Sequence, residues 1–335
     1  MAGGESRPIA VYGAIVANGA IAAAKFFAAS ITGSSAMLSE GIHSVVDTGN
    51  QLLLLLGIHR SRQPPDEHHE FGHGKELYFW CLIVAIILFG VGGVVAFYEG
   101  IEHLNHPRPL EDPLVNYIVL GIALLLESTS WFIALREISR EAGEEGVLRS
   151  IRTSRDPSVV TVLLEDTAAL LGLIIAFVGI FLAHQLNDPR LDGVSSIAIG
   201  AVLTVVAIFL TYESRGLLIG ERARSSVIAT LRRIAEEADG VEAVVRTRTM
   251  HLGPRDVLVT AEIRFTSQQV DDVALVIRKL KARLRETDER LSDVTIEPVR
   301  PDDPRPAEPP KVPASAEKEE PPLKTDREPD TDAGK

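Results

Sequence analysis

The chain has 335 residues, room for two or three domains, and its 34 Lys+Arg against 46 Asp+Glu leave a net charge of −12. That balance argues against a nucleic-acid binder, and a single cysteine, Cys81, excludes a disulfide framework and any Cys-rich zinc site. Leu77–Tyr98 runs 22 residues and Gly193–Tyr212 runs 20 without Asp, Glu, Lys or Arg; a bilayer core of roughly 30 Å needs about 20 apolar residues as helix, so a soluble protein is excluded too.

Four further apolar stretches accompany those two: Ile9–Ala29, Ala36–Ile58, Leu114–Leu135 and Ser158–Ala183. Together they predict six transmembrane helices. The first ends in the small residues Ala28, Ala29 and Ser30, as a cleaved signal does, but its front carries Glu5 and Arg7 rather than a basic cluster, so it is read as a span. Basic residues in short loops mark the cytoplasmic side. Arg60, Arg62 and Lys75 lie between the second and third spans, and Arg136, Arg140, Arg149, Arg152 and Arg155 between the fourth and fifth, against Arg108 and Arg190 on the other face. Both termini are therefore expected in the cytoplasm.

After Tyr212 the pattern becomes that of a soluble domain. Ser225–Ala238 has the apolar stripe of an amphipathic helix, Val241–Arg246 and Val257–Phe265 read as strands around the turn residues Gly253 and Pro254, Asp271–Arg285 as a second helix, and Val294–Ile296 as a third strand. The order α-β-β-α-β predicts a ferredoxin-like α+β domain. Beyond Arg300, 9 prolines and 10 acidic residues in the last 35 positions predict a disordered tail. The expected organisation is 1–221 as a six-helix membrane domain, 222–300 as the α+β cytoplasmic domain, and 301–335 as the tail.

The informative residues are ionisable groups inside the spans, which are costly in lipid and mark ion or proton pathways. Glu40, His43 and Asp47 in the second span are spaced three and four apart and share one helical face, which Asn50 or Gln51 continues. The fifth span carries Glu165 and Asp166, the fourth Glu127, and the first Lys25 and Asn18. His43 and Asp47 facing Glu165 and Asp166 would make a mixed nitrogen and oxygen shell suited to zinc or another first-row divalent ion. The competing reading is a set of interhelical hydrogen bonds between protonated acids. Glu127 reads equally as a further acidic contributor, a proton-coupling group or a packing residue, and Glu40 as a proton-coupling candidate. Lys25 is expected to snorkel or to pair with an acid.

The loop PPDEHHEFGHGKE holds Asp66, Glu67, His68, His69 and His73 within eight positions, with Gly72 and Gly74 freeing the backbone around His73. It is read as a metal-capable loop. His103 and His106 on the opposite side are read as solvated, with a role in weak ion capture.

The combination of six spans, HSVVD in the second, FGHGKE in the loop, DGVSSIAIGAVL opening the sixth, LLIGE past its end and a ferredoxin-like domain resembles the cation diffusion facilitator family over residues 9–300. The resemblance implies a homodimeric secondary transporter that exports zinc or a related divalent metal in exchange for protons. It implies a transport site of His43 and Asp47 with two residues of the fifth helix, and carries a loop site onto Asp66, His69 and His73, with His68 a near alternative. The family's fifth-helix HxxxD pattern is broken here, because Val162 stands four residues before Asp166; Glu165 and Asp166 together resemble the branch that contains mitochondrial zinc transporters. A site of one nitrogen and up to three carboxylates leaves room for Mn²⁺, Fe²⁺ or Co²⁺ as cargo. The domain offers a single histidine, His251, with Glu262 and Glu297 on strand positions, and is expected to serve as a dimerisation module.

The expected mechanism is alternating access: metal binding requires neutral His43 and ionised carboxylates, so it releases protons, and protons returning from outside expel the metal. No GxxxxGK[ST] loop is present for ATP. No enzymatic activity and no resident cofactor are expected, the cation being cargo. A metal-responsive membrane sensor and a metal-dependent membrane hydrolase are the other two classes considered. The expected partners are a second copy of the chain, the lipid bilayer, divalent metal ions and protons, with no nucleic acid. For want of an organelle-targeting presequence, a bacterial inner membrane is expected.

Overall fold

The computed structural model describes residues 8–108, 113–142 and 157–300, apart from Arg224, Arg255, Glu289 and Ser292. The expected tail at 301–335 and the basic residues Arg149, Arg152 and Arg155 lie outside the described residues. The chain divides into two compact units, Met1–Ile219 and Gly220–Lys335.

The first unit is helical: α1 (Pro8–Thr32), α2 (Ser35–Ser61), α3 (Glu76–Asn105), α4 (Leu114–Ala142), α5 (Pro157–Leu186) and α6 (Arg190–Ile219). Helix covers every one of the expected apolar stretches. Among the described residues, four helices are long and apolar enough to cross a membrane: α3, α4 over Leu114–Arg136, α5 over Val160–Leu186, and α6. In α2 the apolar run is interrupted by Glu40, His43, Asp47, Asn50 and Gln51, all of them on or beside its buried face.

Helix α2 is the hub of this unit, packing against α1, α3, α5 and α6, while α4 packs against α1 and α5. The start of α2 is fixed twice. Gly33, at φ 71°, turns the chain out of α1. Ser34 then caps α2 by accepting from the Met37 amide at 3.1 Å. From α6, the buried carboxylate of Asp192 accepts from Ser34 Oγ at 2.7 Å, Ser35 Oγ at 2.9 Å, and the amides of Ser35 and Ala36. A carboxylate at a helix N-terminus satisfies donors that the helix itself cannot, and complements its dipole.

Helices α3 and α6 meet backbone to backbone. A Cβ built on Gly200 would lie 2.9 Å from the Gly93 carbonyl oxygen, and one on Gly193 would lie 2.9 Å from that of Gly100. Small residues permit this approach, which is how helices associate where lipid supplies no hydrophobic drive. Leu88–Gly93 is a π-helical turn at the same contact.

The second unit contains α7 (Ser225–Glu236), β1 (Val241–His251), β2 (Val257–Phe265), α8 (Val270–Thr287) and β3 (Asp293–Pro298). The sheet order is β1-β2-β3, with β1 and β2 antiparallel and β2 and β3 parallel. Strand β2 buries Val257, Val259, Ala261, Ile263 and Phe265 in strict alternation, the pattern of a sheet with one covered face. Val227, Leu231 and Ile234 of α7 and Leu280 and Leu284 of α8 share that core, each fully buried aliphatic contributing about 1.5–3 kcal/mol. The first strand outruns the expected Val241–Arg246 because β2, at its expected bounds, offers partners further along: pairing continues to His251 opposite Val257.

Candidate functional site

The side chains of α2 that looked out of place in lipid do not face it. Glu40, His43, Asp47 and Asn50 are all buried, as are Glu165 and Asp166 on α5 and Glu127 on α4. The three- and four-residue spacings put the α2 set on one stripe, and α2 packs against α5 along it.

Three hydrogen bonds from uncharged residues hold the acids in place. Asn50 Nδ2 donates to Glu165 Oε1 at 2.8 Å, joining α2 to α5. Gln51 Nε2 donates to Asp47 Oδ2 at 3.4 Å, and Gln51 Oε1 accepts from Asn18 Nδ2 of α1 at 3.3 Å. From α4, Ser130 Oγ lies 3.4 Å from Asp166 Oδ2. Asp47 interacts electrostatically with Glu127, Asp166 and Glu165. Both ring nitrogens of His43 are buried without a hydrogen-bond partner among the described residues, an arrangement that leaves an imidazole available as a ligand. Adjacent positions on a helix diverge by about 100°, and Glu165 and Asp166 accordingly face different neighbours, α2 and α4.

Lys25 pairs with an acid, as expected. Its Nζ lies 2.9 Å from Glu40 Oε2 and 2.8 Å from Ser44 Oγ, and both charged side chains are fully buried.

Among the described residues, the only three ligand-capable groups within 4.8 Å of one another are Asp66, His69 and His73. His43, Asp47, Glu165 and Asp166 are all buried within the bundle without reaching that spacing. In the loop, the Asp66 Oδ1 accepts from the amides of His69 at 2.7 Å and His68 at 2.8 Å, and its Oδ2 lies 3.0 Å from His73 Nε2. The rings of His69 and His73 are 4.4 Å apart. Gly72, at φ 80°, reverses the chain between them. Amide donation by His69, then His68, with the two imidazoles beside it, holds the Asp66 carboxyl down to about 2. His68 contributes its backbone here and its ring is outside the cluster, as is Glu67.

His103 corrects the expectation of a solvated outer loop. It is buried, with Nε2 3.9 Å from Asp192 Oδ2, whereas His106 is exposed and lies 3.2 Å from Glu102. Asp192 itself was passed over by sequence reasoning; the available signal was an acid in the first turn of an apolar helix together with the hydroxyl pair Ser34-Ser35 at the start of another.

The model of the cation efflux transmembrane domain matches residues 11–219. The chain belongs to the cation diffusion facilitator family. It is 37% identical over 259 residues to the mitochondrial proton-coupled zinc antiporter SLC30A9 of Mus musculus, covering 77% of this chain and 46% of that protein. It is 31% identical over 239 residues to metal tolerance protein C4 of Arabidopsis thaliana, covering 71% and 52%. Over a shorter stretch, 123 residues and 34% of this chain, it is 38% identical to 41% of the cation-efflux pump FieF of Escherichia coli. The chain spans about half the length of the curated relatives it matches over most of its own length. Within the family it falls in the branch resembling the mitochondrial zinc transporters. The expectation of a bacterial inner membrane finds no support in relatives whose names are mitochondrial.

Val162, the position four residues before Asp166, takes no part in the polar contact between α5 and α2. Val162 packs beside the apolar cluster of Leu54, Leu77 and Cys81, and the polar contact with α2 is made three residues later, by Glu165.

Proposed function

We infer that the chain is the transport core of a proton-coupled divalent cation exporter, with zinc as its cargo and alternating access as its mechanism. The observation that carries this reading is the α2–α5 contact, where the bond from Asn50 to Glu165 brings a buried acid of one helix to the face that bears His43 and Asp47 on the other. A membrane-spanning member of this family has no structural need for such a set of acids in its interior, and its ionised form needs a cation for compensation.

In this reading His43, Asp47, Glu165 and Asp166 take turns as ligands while the helices rock, which is compatible with a resting spacing wider than a closed coordination shell. The metal is cargo rather than a resident cofactor. Binding selects neutral His43 and ionised carboxylates, so each metal bound releases protons, and protons arriving from the far side expel it. Glu127, electrostatically joined to Asp47 and Asp166, is the residue proposed to pass those protons. Glu40, the other proton-coupling candidate, is given a different part, since one of its two carboxylate oxygens pairs with Lys25. The loop of Asp66, His69 and His73 is proposed as a second metal station at the cytoplasmic mouth.

Six spans with both termini cytoplasmic, a ferredoxin-like arrangement of the second unit and a homodimer joined through it complete the proposal. Zinc is preferred over Mn²⁺, Fe²⁺ and Co²⁺ because the animal relatives are named zinc antiporters. The test is uptake of Zn²⁺, Mn²⁺, Fe²⁺ and Co²⁺ into proteoliposomes with an imposed pH gradient. Gradient-driven zinc flux that Asp47→Ala abolishes is the expected result; no flux of any of the four from folded protein overturns the reading.

A further inference from the structure

The pair formed by Lys25 and Glu40 is the feature that the transport reading leaves unused. Burying an ammonium and a carboxylate inside a helical bundle is costly, and a pair kept only for stability tends to have its remaining hydrogen-bonding groups satisfied. This one does not. The Lys25 ammonium has three donors and two acceptors are in place, Glu40 Oε2 at 2.9 Å and Ser44 Oγ at 2.8 Å. Glu40 Oε1 is buried with no hydrogen-bond partner among the described residues. It is pressed against Gly172 of α5, where an added Cβ would collide with it. The bare glycine thus makes room for the free carboxylate oxygen on the helix that also bears Glu165 and Asp166.

The second acceptor, Ser44, stands one helical turn before Asp47 on the same face of α2. The Lys25 charge is felt at His43, Asp47 and Glu127. An ammonium on a flexible four-carbon stem whose charge reaches these acids is compact enough to replace a metal ion on a carboxylate. Among the described residues, Glu40 and Ser44 are the side chains it donates to.

We propose that Glu40 sequesters the Lys25 ammonium from the transport site, so that this ion pair sets the affinity of the site for its metal. The proposal rests on the transport reading above and adds an internal competitor to it. With Glu40 in place, the ammonium stays one turn short of Asp47. With its charge removed, the ammonium moves on to Asp47 and Glu127 and opposes the incoming dication.

The experiment compares wild type, Glu40→Gln, Lys25→Met and the double variant in proteoliposomes, at matched amounts of folded dimer or monomer as purified. The readouts are the half-saturating Zn²⁺ concentration and the maximal flux, scored separately. Glu40→Gln is expected to raise the half-saturating concentration by about tenfold, the size of an ordinary coupling between two sites, with maximal flux little changed. Adding Lys25→Met to it is expected to bring that concentration back to within about twofold of wild type, since the competitor is then gone. A purely structural pair would lower folded yield and maximal flux and would leave half-saturation alone. Unchanged half-saturation in Glu40→Gln, or no recovery in the folded double variant, overturns the proposal. Should Glu40→Gln not fold, Ser44→Ala removes the other acceptor without changing charge and is expected to shift half-saturation in the same direction by about threefold; no shift there overturns it equally. Absence of zinc flux in the wild type is a separate outcome, which overturns the transport reading and this proposal together.

Discussion

Asn50 on α2 donates to Glu165 on α5 over 2.8 Å, inside a bundle where both side chains are shielded from solvent. An amide is the natural partner for a carboxylate that must also face a dication: it satisfies one lone pair without neutralising the charge, and leaves the other oxygen for the metal. The same logic applies to Gln51 on Asp47. The two acids are oriented by neutral donors, which in the proposed function leaves their charge available for cargo.

Asp47→Ala is expected to reduce zinc flux by more than about 100-fold, beyond the 10–100-fold typical of losing a residue that merely orients a ligand. Removing a buried carboxylate relieves a desolvation cost, so the variant should fold at least as stably as wild type. Flux is measured in proteoliposomes and folding by thermal melting in detergent. Full transport by the variant would remove Asp47 from the pathway.

Glu165→Ala and Asp166→Ala are expected to differ, because the first breaks the contact with α2 and the second a weaker one with Ser130 of α4. Glu165→Ala should cost the larger part of zinc affinity. Asn50→Leu should follow it in direction, losing about 10–100-fold in affinity by leaving Glu165 without its donor. Isothermal titration of zinc into the purified protein checks all three. Equal, mild losses from both acids would mean that the fifth helix does not ligate.

The acids, His43 and their common helical face were legible in the sequence because charge inside an apolar run stands out and helical spacing is regular. The helices and the C-terminal sheet were legible for the same reason: long apolar runs and the alternation of β2 are one-dimensional signals. What was not legible depended on which helix lies beside which. Asp192 looked like an ordinary acid near a helix start, and only the packing of α6 against the first turn of α2 makes it a cap. His103 read as loop because its neighbours are polar, yet the same packing buries it beside Asp192. The partner of Lys25 was open between several acids until α1 was laid against α2 with Ser44 and Glu40 at the same level.

Asp192→Ala is expected to destabilise the membrane unit by about 2–3 kcal/mol, since it strips acceptors from the buried amides of Ser35 and Ala36 and from two serine hydroxyls. Asp192→Asn, which keeps one acceptor oxygen, should lose less. Neither variant should alter the zinc concentration at half-saturation, because the residue holds the end of α2 and does not touch the acids of the pathway. Thermal melting together with flux per folded molecule separates the two effects, and a changed half-saturation in folded protein would contradict the assignment of Asp192 as a cap.

The turn of the loop station should hold against acid because of its aspartate. Amide donation from His69 and His68 keeps the Asp66 carboxyl below the range of a free side chain, down to about 2. A depressed carboxyl lends order that is fully present above the free range and is lost only as the pH falls through that lower value. Over ordinary acidities Asp66 therefore stays charged and the turn around it stays formed. Amide resonances of His68 and His69 should hold their positions until the pH approaches about 2, and should move only there. His73→Ala should weaken zinc binding at the loop by about 10–100-fold, with the transport-site variant Asp47→Ala serving as the background in which loop-bound zinc is counted. Loss of the turn at a pH well above that value would show instead that the loop is not organised around Asp66.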